Sequence, residues 1–399
     1  MPSQPRPPGR ALEVGLAFLK LGLTSFGGPI AHLGYFHREF VQRRRWLDEE
    51  HFGQLLGLCQ LLPGPASSQL GFSLGLLRGG WLGGLAAFVG FTLPSALLLF
   101  VFATLSGQLA GPWGQQAIHG LKLVAVAVVA QGVTAMAQRL TPDAPRALLA
   151  AAAVVLLAIS PAAWTQLLVV AGGGVAGLWL CRSVHARPGE SFAVGYGRRT
   201  GRLLLLTFAL LLAAALLAGP HLPALGQAAA AFYRAGSLVF GGGHVVLPLL
   251  REAVVQPGWL DDNTFLAGYG AAQAIPGPMF TLAAFLGERL HGGAGGAAGA
   301  AVGLLAIFLP GLLLVSGALP FWQAFGRRDL TARMLAGTNA AVVGLLATAL
   351  YNPVWVSAVH DATDFAIALV GFVLLVAVRW PAWAVVVWCV AAAMARALV

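Results

Sequence analysis

Residues 18–80 read FLKLGLTSFGGPIAHLGYFHREFVQRRRWLDEEHFGQLLGLCQLLPGPASSQLGFSLGLLRGG, and residues 239–278 read VFGGGHVVLPLLREAVVQPGWLDDNTFLAGYGAAQAIPGP. A shift of about 213 residues lays one on the other. Phe26-Gly27-Gly28 meets Phe240-Gly241-Gly242, Glu39 meets Glu252, and Trp46-Leu47-Asp48 meets Trp259-Leu260-Asp261. Phe52 then meets Phe265, Gln60 meets Gln273, and Pro63-Gly64-Pro65 meets Pro276-Gly277-Pro278. Leu93-Pro94 pairs with Leu309-Pro310 once a few residues are inserted. An ordered series that includes polar members is a duplication, and a repeat decides the fold before any single element does.

Outside these stretches most of the chain is apolar. Of its 399 residues 58% are hydrophobic and 10% charged, with a mean hydropathy of +0.80, against roughly 25% charged in a soluble domain. Apolar runs fall at about 11–37, 52–77, 81–106, 116–137, 147–159, 162–181 and 203–219, then at about 230–250, 264–287, 294–321, 332–351, 363–378 and 381–398. Most approach the roughly 20 residues that cross a hydrocarbon layer. The expected class is an all-α polytopic membrane protein. Its divisions are a polar, disordered N-terminus at 1–10, a first repeat at 11–181, a basic loop at 182–202, a linker helix at 203–219 and a second repeat at 220–399. The run after MPSQPRPPGR lacks a small-residue cleavage pattern, so no removed signal peptide is expected.

The formal charge of +10 comes almost wholly from arginines in short connections, since Lys20 and Lys122 are the only lysines. Such arginines set topology and face lipid headgroups; they do not form a nucleic-acid surface. If the first two runs of each half span straight through, Arg43, Arg44 and Arg45 fall on the opposite side from the loop with Arg182, Arg187, Arg198, Arg199 and Arg202. If each of those runs instead reverses at its glycine or proline break, Arg38, Arg43 to Arg45, Arg78, Arg139, Arg146 and the loop share the cytoplasmic side, as the positive-inside rule requires. The second half then starts on the outer side, and the halves form inverted repeats with discontinuous helices or re-entrant hairpins, a recurrent transporter design. Hydropathy alone does not distinguish this from thirteen straight spans.

Broken backbone inside hydrocarbon is tolerated only where it is buried or lines a wet cavity. Pro29, Pro65 and Pro278 are placed to begin half-helices, whose free N–H groups attract anions. Four converging ends, each of about +0.5, would offer about +2, which suits a dianion. Ser67, Ser68 and Gln69 after the first Pro-Gly-Pro, and Thr281 after the second, offer hydroxyl and amide donors, with Gln60 and Gln273 ahead of each motif. The competing reading makes the breaks hinges with locally satisfied side chains. Lys20 lies within the first apolar run and is a candidate partner for an anion or a snorkelling cation. His119 and Lys122 share a run from whose end they could snorkel. His32 and His244 follow the two glycine pairs and could donate to an anion, titrate or simply be satisfied inside the protein. Gly75, Gly79 and Gly83, like Gly295, Gly299 and Gly303, recur every fourth residue and mark close helix packing, and Gly-rich faces would permit a homodimer. Cys59, Cys181 and Cys389 stand apart with no metal-type spacing, and the sequence holds no Walker A loop, no HExxH and no Cys-x-x-Cys. Neither an enzyme nor a cofactor is expected; a secondary transporter is.

The stretch quoted first, followed by Gly90-Phe-Thr-Leu-Pro-Ser-Ala, resembles the signature half of the chromate ion transporters in their long two-domain form, and FGGGHVVLPLL, Trp259-Leu-Asp and AIPGP fit its second half. The resemblance implies an inner-membrane protein with oppositely oriented halves that extrudes chromate and confers resistance, with sulfate as the natural competitor. Carried onto this chain, the family pattern points to Phe26, Gly27, Gly28, Pro29, His32, Gln60, Pro63, Gly64, Pro65, Ser67, Ser68, Gln69 and Arg78. In the second half it points to Phe240, Gly241, Gly242, Gly243, His244, Pro276, Gly277 and Pro278. Met279 and Phe280 stand where the first half has small polar residues, so the first half is expected to hold more of the anion. An oxyanion uptake carrier or exchanger and a passive anion channel are the rival functions.

Overall fold

The computed structural model describes residues 9–26, 28–106, 111–160, 163–184, 194–218, 221–239, 246–322 and 329–396. Every regular element among them is helical. Among the described residues, five helices are long and apolar enough to cross a membrane: Ala66–Ser106, Trp113–Leu140, Arg198–Leu217, Gly296–Phe321 and Asp329–Ala358. The helix expected at 203–219 runs Arg198–Leu217, with Arg198, Arg199 and Arg202 in its first turns.

The chain folds as two compact units, each drawing on both halves of the sequence. One comprises residues 1–101, 188–243 and 275–327, the other residues 102–187, 244–274 and 328–399. The first unit contains α1 (Gly9–Thr24), α2 (Gly28–Phe36), α3 (Glu49–Leu61), nearly all of α4 (Ala66–Ser106), α8 (Arg198–Leu217), α9 (Ala224–Ser237), α12 (Leu282–Arg289) and α13 (Gly296–Ala318). The second contains α5 (Pro112–Leu140), α6 (Ala144–Ile159), α7 (Ala163–Leu180), α10 (Val246–Val254), α11 (Asp262–Ala274), α14 (Asp329–Ala349), α15 (Ala362–Val376) and α16 (Ala382–Arg396).

In the first unit the chain reverses between α1 and α2. A straight helix would hold Phe18 and Phe36 about 27 Å apart, yet their rings sit 5.4 Å apart, and Phe18 stacks on Phe40 at 4.8 Å. Phe91 closes this aromatic core against Phe36 at 5.1 Å. The same reversal brings Glu13 of α1 to Arg44 at 3.8 Å, and Glu13 also meets Arg78 of α4 at 3.3 Å. Beyond α2 the backbone loosens into a π-helical stretch, His37–Arg43, and Asp48 then starts α3 by accepting the His51 N–H.

Helix α4 is two arms. Gly80 has φ 67° and ψ −159°, so the helix turns back there, at the boundary between the apolar runs 52–77 and 81–106. Gly75 of the first arm packs against the Gly83 carbonyl of the second, where an added Cβ would sit 2.4 Å away. The second half repeats this in α12 and α13, with Gly287 against the Gly299 carbonyl at 2.2 Å by the same measure. A further pair recurs: Gly22 of α1 backs onto the Gly90 carbonyl, and Gly236 of α9 onto the Ile307 carbonyl. Small residues at helix crossings let backbones meet where no hydrophobic effect drives helices together.

The second unit surrounds α5 with α11, α14, α15 and α16, while α14 packs along α7. Asp143 caps α6 and Asp361 caps α15 through backbone N–H groups. The three cysteines are free and buried.

Candidate substrate-binding site

Each Pro-Gly-Pro glycine adopts a backbone that other residues rarely reach, φ 122° at Gly64 and 111° at Gly277. That twist turns the glycine N–H away from its own segment and toward the other half. Gly64 N–H donates to the carbonyl of Val239 at 2.7 Å, and Gly277 N–H donates to the carbonyl of Ser25 at 3.0 Å. Val239 and Ser25 are the residues just ahead of the two Phe-Gly-Gly motifs. Each Pro-Gly-Pro of one half is therefore tied to the Phe-Gly-Gly approach of the other by one backbone hydrogen bond, a reciprocal crossing within the first unit.

The packing around the crossing is reciprocal too. An added Cβ on Gly64 would lie 2.9 Å from Gly311 Cα, and one on Gly277 would lie 2.6 Å from Ser95 Oγ. Gly311 follows Pro310 of α13 and Ser95 follows Pro94 of α4, the two matched helix prolines. Neither proline brings an N–H to its helix, so both helices have a relaxed ladder where the loops press in.

Polar atoms gather in this region without partners. His32 and Gln69 are fully buried, as is Ser25, and Ser67 and Ser68 are 3% exposed. Ser25 Oγ, His32 Nδ1, Ser68 Oγ and Gln69 Oε1 are buried and have no hydrogen-bond partner among the described residues. Buried polar groups are almost always paired, so orphans in a broken-helix region mark a place for a polar ligand or water. Helices α2 and α4 begin at Gly28 and Ala66, and a 3₁₀ turn begins at Met279, so three helical N-termini flank the breaks.

Several expected residues act differently. Gln69 does not offer a free amide: its Nε2 donates to the carbonyls of Pro63 at 2.9 Å and Gly311 at 3.1 Å, leaving only Oε1, an acceptor. Thr281 Oγ1 donates to the Pro278 carbonyl at 2.7 Å. Lys20 lies on the exposed face of α1 with Leu16, Leu19 and Leu23, away from the orphaned atoms. Arg78 sits near the turn of α4, held by Glu13 and over the Trp46 ring at 5.3 Å, where Arg44 also lies at 5.6 Å. Phe26, Gln60, Pro63 and Pro65 lie at or beside the breaks, and Gln60 is bonded. Gln273 belongs to the second unit, buried, with Nε2 unpartnered among the described residues. Gly27 and residues 240–244 lie outside the described residues, as do the side-chain surroundings of Pro29. The sequence reading missed Ser25, Val239, Ser95 and Gly311. Their only signal was position, directly before a glycine motif or directly after a matched proline.

The second unit carries its own polar clusters. Asp364, 1% exposed, accepts from His119 Nε2 at 2.8 Å, from Arg396 at 2.8 Å and from the His360 N–H at 3.0 Å. Lys122 Nζ donates to Asn263 at 2.7 Å, and Arg251 pairs with Asp262 at 2.7 Å. A cavity of about 270 Å³, lined in part by Arg251, Glu252, Gln166 and Asn352, includes no residue of the glycine or proline motifs. The candidate site rests on the orphaned buried polar atoms beside the crossed breaks.

Comparison with known proteins agrees with the duplicated pattern. The family described as Chromate transporter matches twice, over residues 12–178 and 226–395. A probable chromate transport protein of Synechococcus elongatus is 30% identical over 363 residues, covering 89% of this chain and 87% of that protein. A chromate transport protein of Cupriavidus metallidurans is 28% identical over 366 residues, covering 90% and 86%, and one of Pseudomonas aeruginosa is 30% identical over 354 residues, covering 85% and 80%. No solved structure matches the chain. With both halves matched and the apolar helices in place, the chain is a multi-pass membrane protein that belongs to the chromate transporter family.

Proposed function

We propose that the protein is a secondary active transporter that exports chromate across the inner membrane and so confers chromate resistance, and that the crossed breaks of the first unit bind the anion. The observation that carries this reading is the reciprocal pair of hydrogen bonds, Gly64 N–H to Val239 and Gly277 N–H to Ser25, beside buried orphaned polar atoms. A carrier needs a site that both halves build, so that a relative movement of the halves changes access to it. The names of the relatives supply the substrate class. Glu13 beside Arg44 supports the re-entrant reading over straight spans, because a straight first run would separate those two charges by the width of a membrane.

Export of an anion needs no ATP. One charge moved through 100 mV is worth about 2.3 kcal/mol, so an inside-negative membrane drives a singly charged oxyanion outward by about 2.3 kcal/mol, near a 50-fold gradient, and a dianion by twice that energy. A proton gradient is the second available drive.

Everted vesicles holding the protein should accumulate chromate when energised, with turnover in the carrier range. Absence of chromate flux above empty vesicles would reject the function. Flux only in the uptake direction would favour an oxyanion importer, and currents far above carrier rates a channel.

A further inference from the structure

His32 is fully buried, and its Nε2 lies 3.1 Å from the carbonyl oxygen of Ser25. A carbonyl can only accept, so Nε2 carries a hydrogen; in the neutral ring Nδ1 is then a bare lone pair. The same carbonyl accepts the Gly277 N–H, so the crossing of the two halves itself fixes the tautomer. The ring stands edge-on to Phe91 at 5.2 Å, which holds its plane. Nδ1 is buried and has no partner among the described residues.

Charged groups on the elements around the ring lie elsewhere. On α1, Glu13 is at the far end of the helix from Ser25 and is engaged with Arg44 and Arg78, while Lys20 is exposed. On α4, Arg78 is thirteen residues beyond Pro65, and on the segment after Gly277, Glu288 and Arg289 end α12. None of these is hydrogen-bonded to His32 among the described residues. An unpaired buried charge is costly, so the ring is neutral and Nδ1 an acceptor.

We propose that Nδ1 of His32 accepts a hydrogen bond from the protonated oxygen of a singly protonated tetrahedral oxyanion, which makes His32 a specificity-determining residue. Resting on the transport reading above, this adds the ionic form of the substrate and the means of rejecting its isostere. Chromate takes up one proton near neutral pH, whereas sulfate, of nearly the same size, stays fully ionised until the solution is strongly acid. A fully ionised anion would set an oxygen lone pair against the Nδ1 lone pair, leaving the buried acceptor unpaired and repelled. Sites built around a substrate hydroxyl reject analogues that lack it far more strongly than size alone could achieve.

The test is flux into proteoliposomes from mildly acidic to mildly alkaline buffer, with chromate as substrate and sulfate as competitor. For the wild-type protein, apparent chromate affinity should rise toward the acid side, and sulfate should compete at least about tenfold more weakly than chromate itself. His32→Gln can still donate to the Ser25 carbonyl but lacks a lone pair at the δ position. It should keep its melting temperature while its chromate preference over sulfate falls about tenfold and its pH dependence flattens. Wild-type affinity that is flat or rises toward alkali would overturn the proposal, as would an unchanged preference in His32→Gln. Should that variant not fold, the wild-type pH series with the two anions decides alone. Flux of neither anion would reject the transport reading and this inference with it, whereas chromate flux without the acid preference rejects only this inference.

Discussion

Replacing Gly277 with alanine puts a Cβ on backbone at φ 111°, with Ser95 Oγ at 2.6 Å and Ser95 Cβ at 3.0 Å. Holding a non-glycine residue in a sparsely populated backbone region costs about 1–3 kcal/mol. Strain in the 3.0 Å bond to the Ser25 carbonyl adds about 0.5–1.5 kcal/mol. The expected loss is about 2–4 kcal/mol, a large share of the 5–15 kcal/mol that separates typical folded and unfolded states. Part of it is repairable. Ser95→Gly removes both clashing atoms, and the second half already carries glycine at the matched place, Gly311. The double variant Gly277→Ala, Ser95→Gly should therefore recover about 1 kcal/mol or more beyond additivity. Gly64→Ala has no such remedy, because its Cβ meets the Cα of Gly311, a backbone atom. Denaturant unfolding in micelles of wild type, both single variants and the double would measure these terms. A Gly277→Ala protein as stable as wild type would rule out the backbone strain, and a cycle additive within about 0.5 kcal/mol would rule out the clash with Ser95.

Asp364→Asn should cost about 3–5 kcal/mol, since a buried carboxylate holding His119 and Arg396 is lost, whereas Glu13→Gln, at a site about one-third exposed, should cost about 0–1 kcal/mol; melting of the two variants in the same detergent checks the ranking. The Arg146 guanidinium beside Asp143 holds its carboxyl below the ordinary value of 3.8. Its stabilising contribution is present above that ordinary value and is lost as pH falls through the lower folded value. The melting difference between wild type and Asp143→Asn should thus be constant from neutral pH down to about pH 4 and vanish below it. A Pro63→Ala, Pro65→Ala protein should reach the membrane yet lose chromate resistance, and full resistance at normal protein levels would count against the breaks as the site.

Much of this was legible in the sequence because it is local. Apolar runs, glycine and proline breaks and the 213-residue repeat are properties of neighbouring residues. The turn at Gly80 falls in the short gap between the runs 52–77 and 81–106, although its glycines read only as packing residues. What the two halves do to each other was not legible. Ser25 and Val239 contribute carbonyl oxygens, which every residue has, so only the fold reveals that they accept the crossing bonds. Lys20 was drawn toward the site by charge and Arg78 by the family resemblance, but helix rotation decides where a side chain faces: Lys20 ends on an exposed face, and Arg78 ends beside Glu13 and Trp46. Gln69 lost its donor role to two carbonyls, one of them 242 residues away.

In the re-entrant topology the chain reverses at the Phe-Gly-Gly break, so that both ends of the first run lie on one side of the membrane. Single cysteines at Glu13 and at Arg44 test it with an impermeant thiol reagent, applied to right-side-out and to everted vesicles. Native cysteines do not interfere, since Cys59, Cys181 and Cys389 are buried. Labelling of both positions only in everted vesicles is the predicted result, and labelling of the two from opposite sides would contradict it.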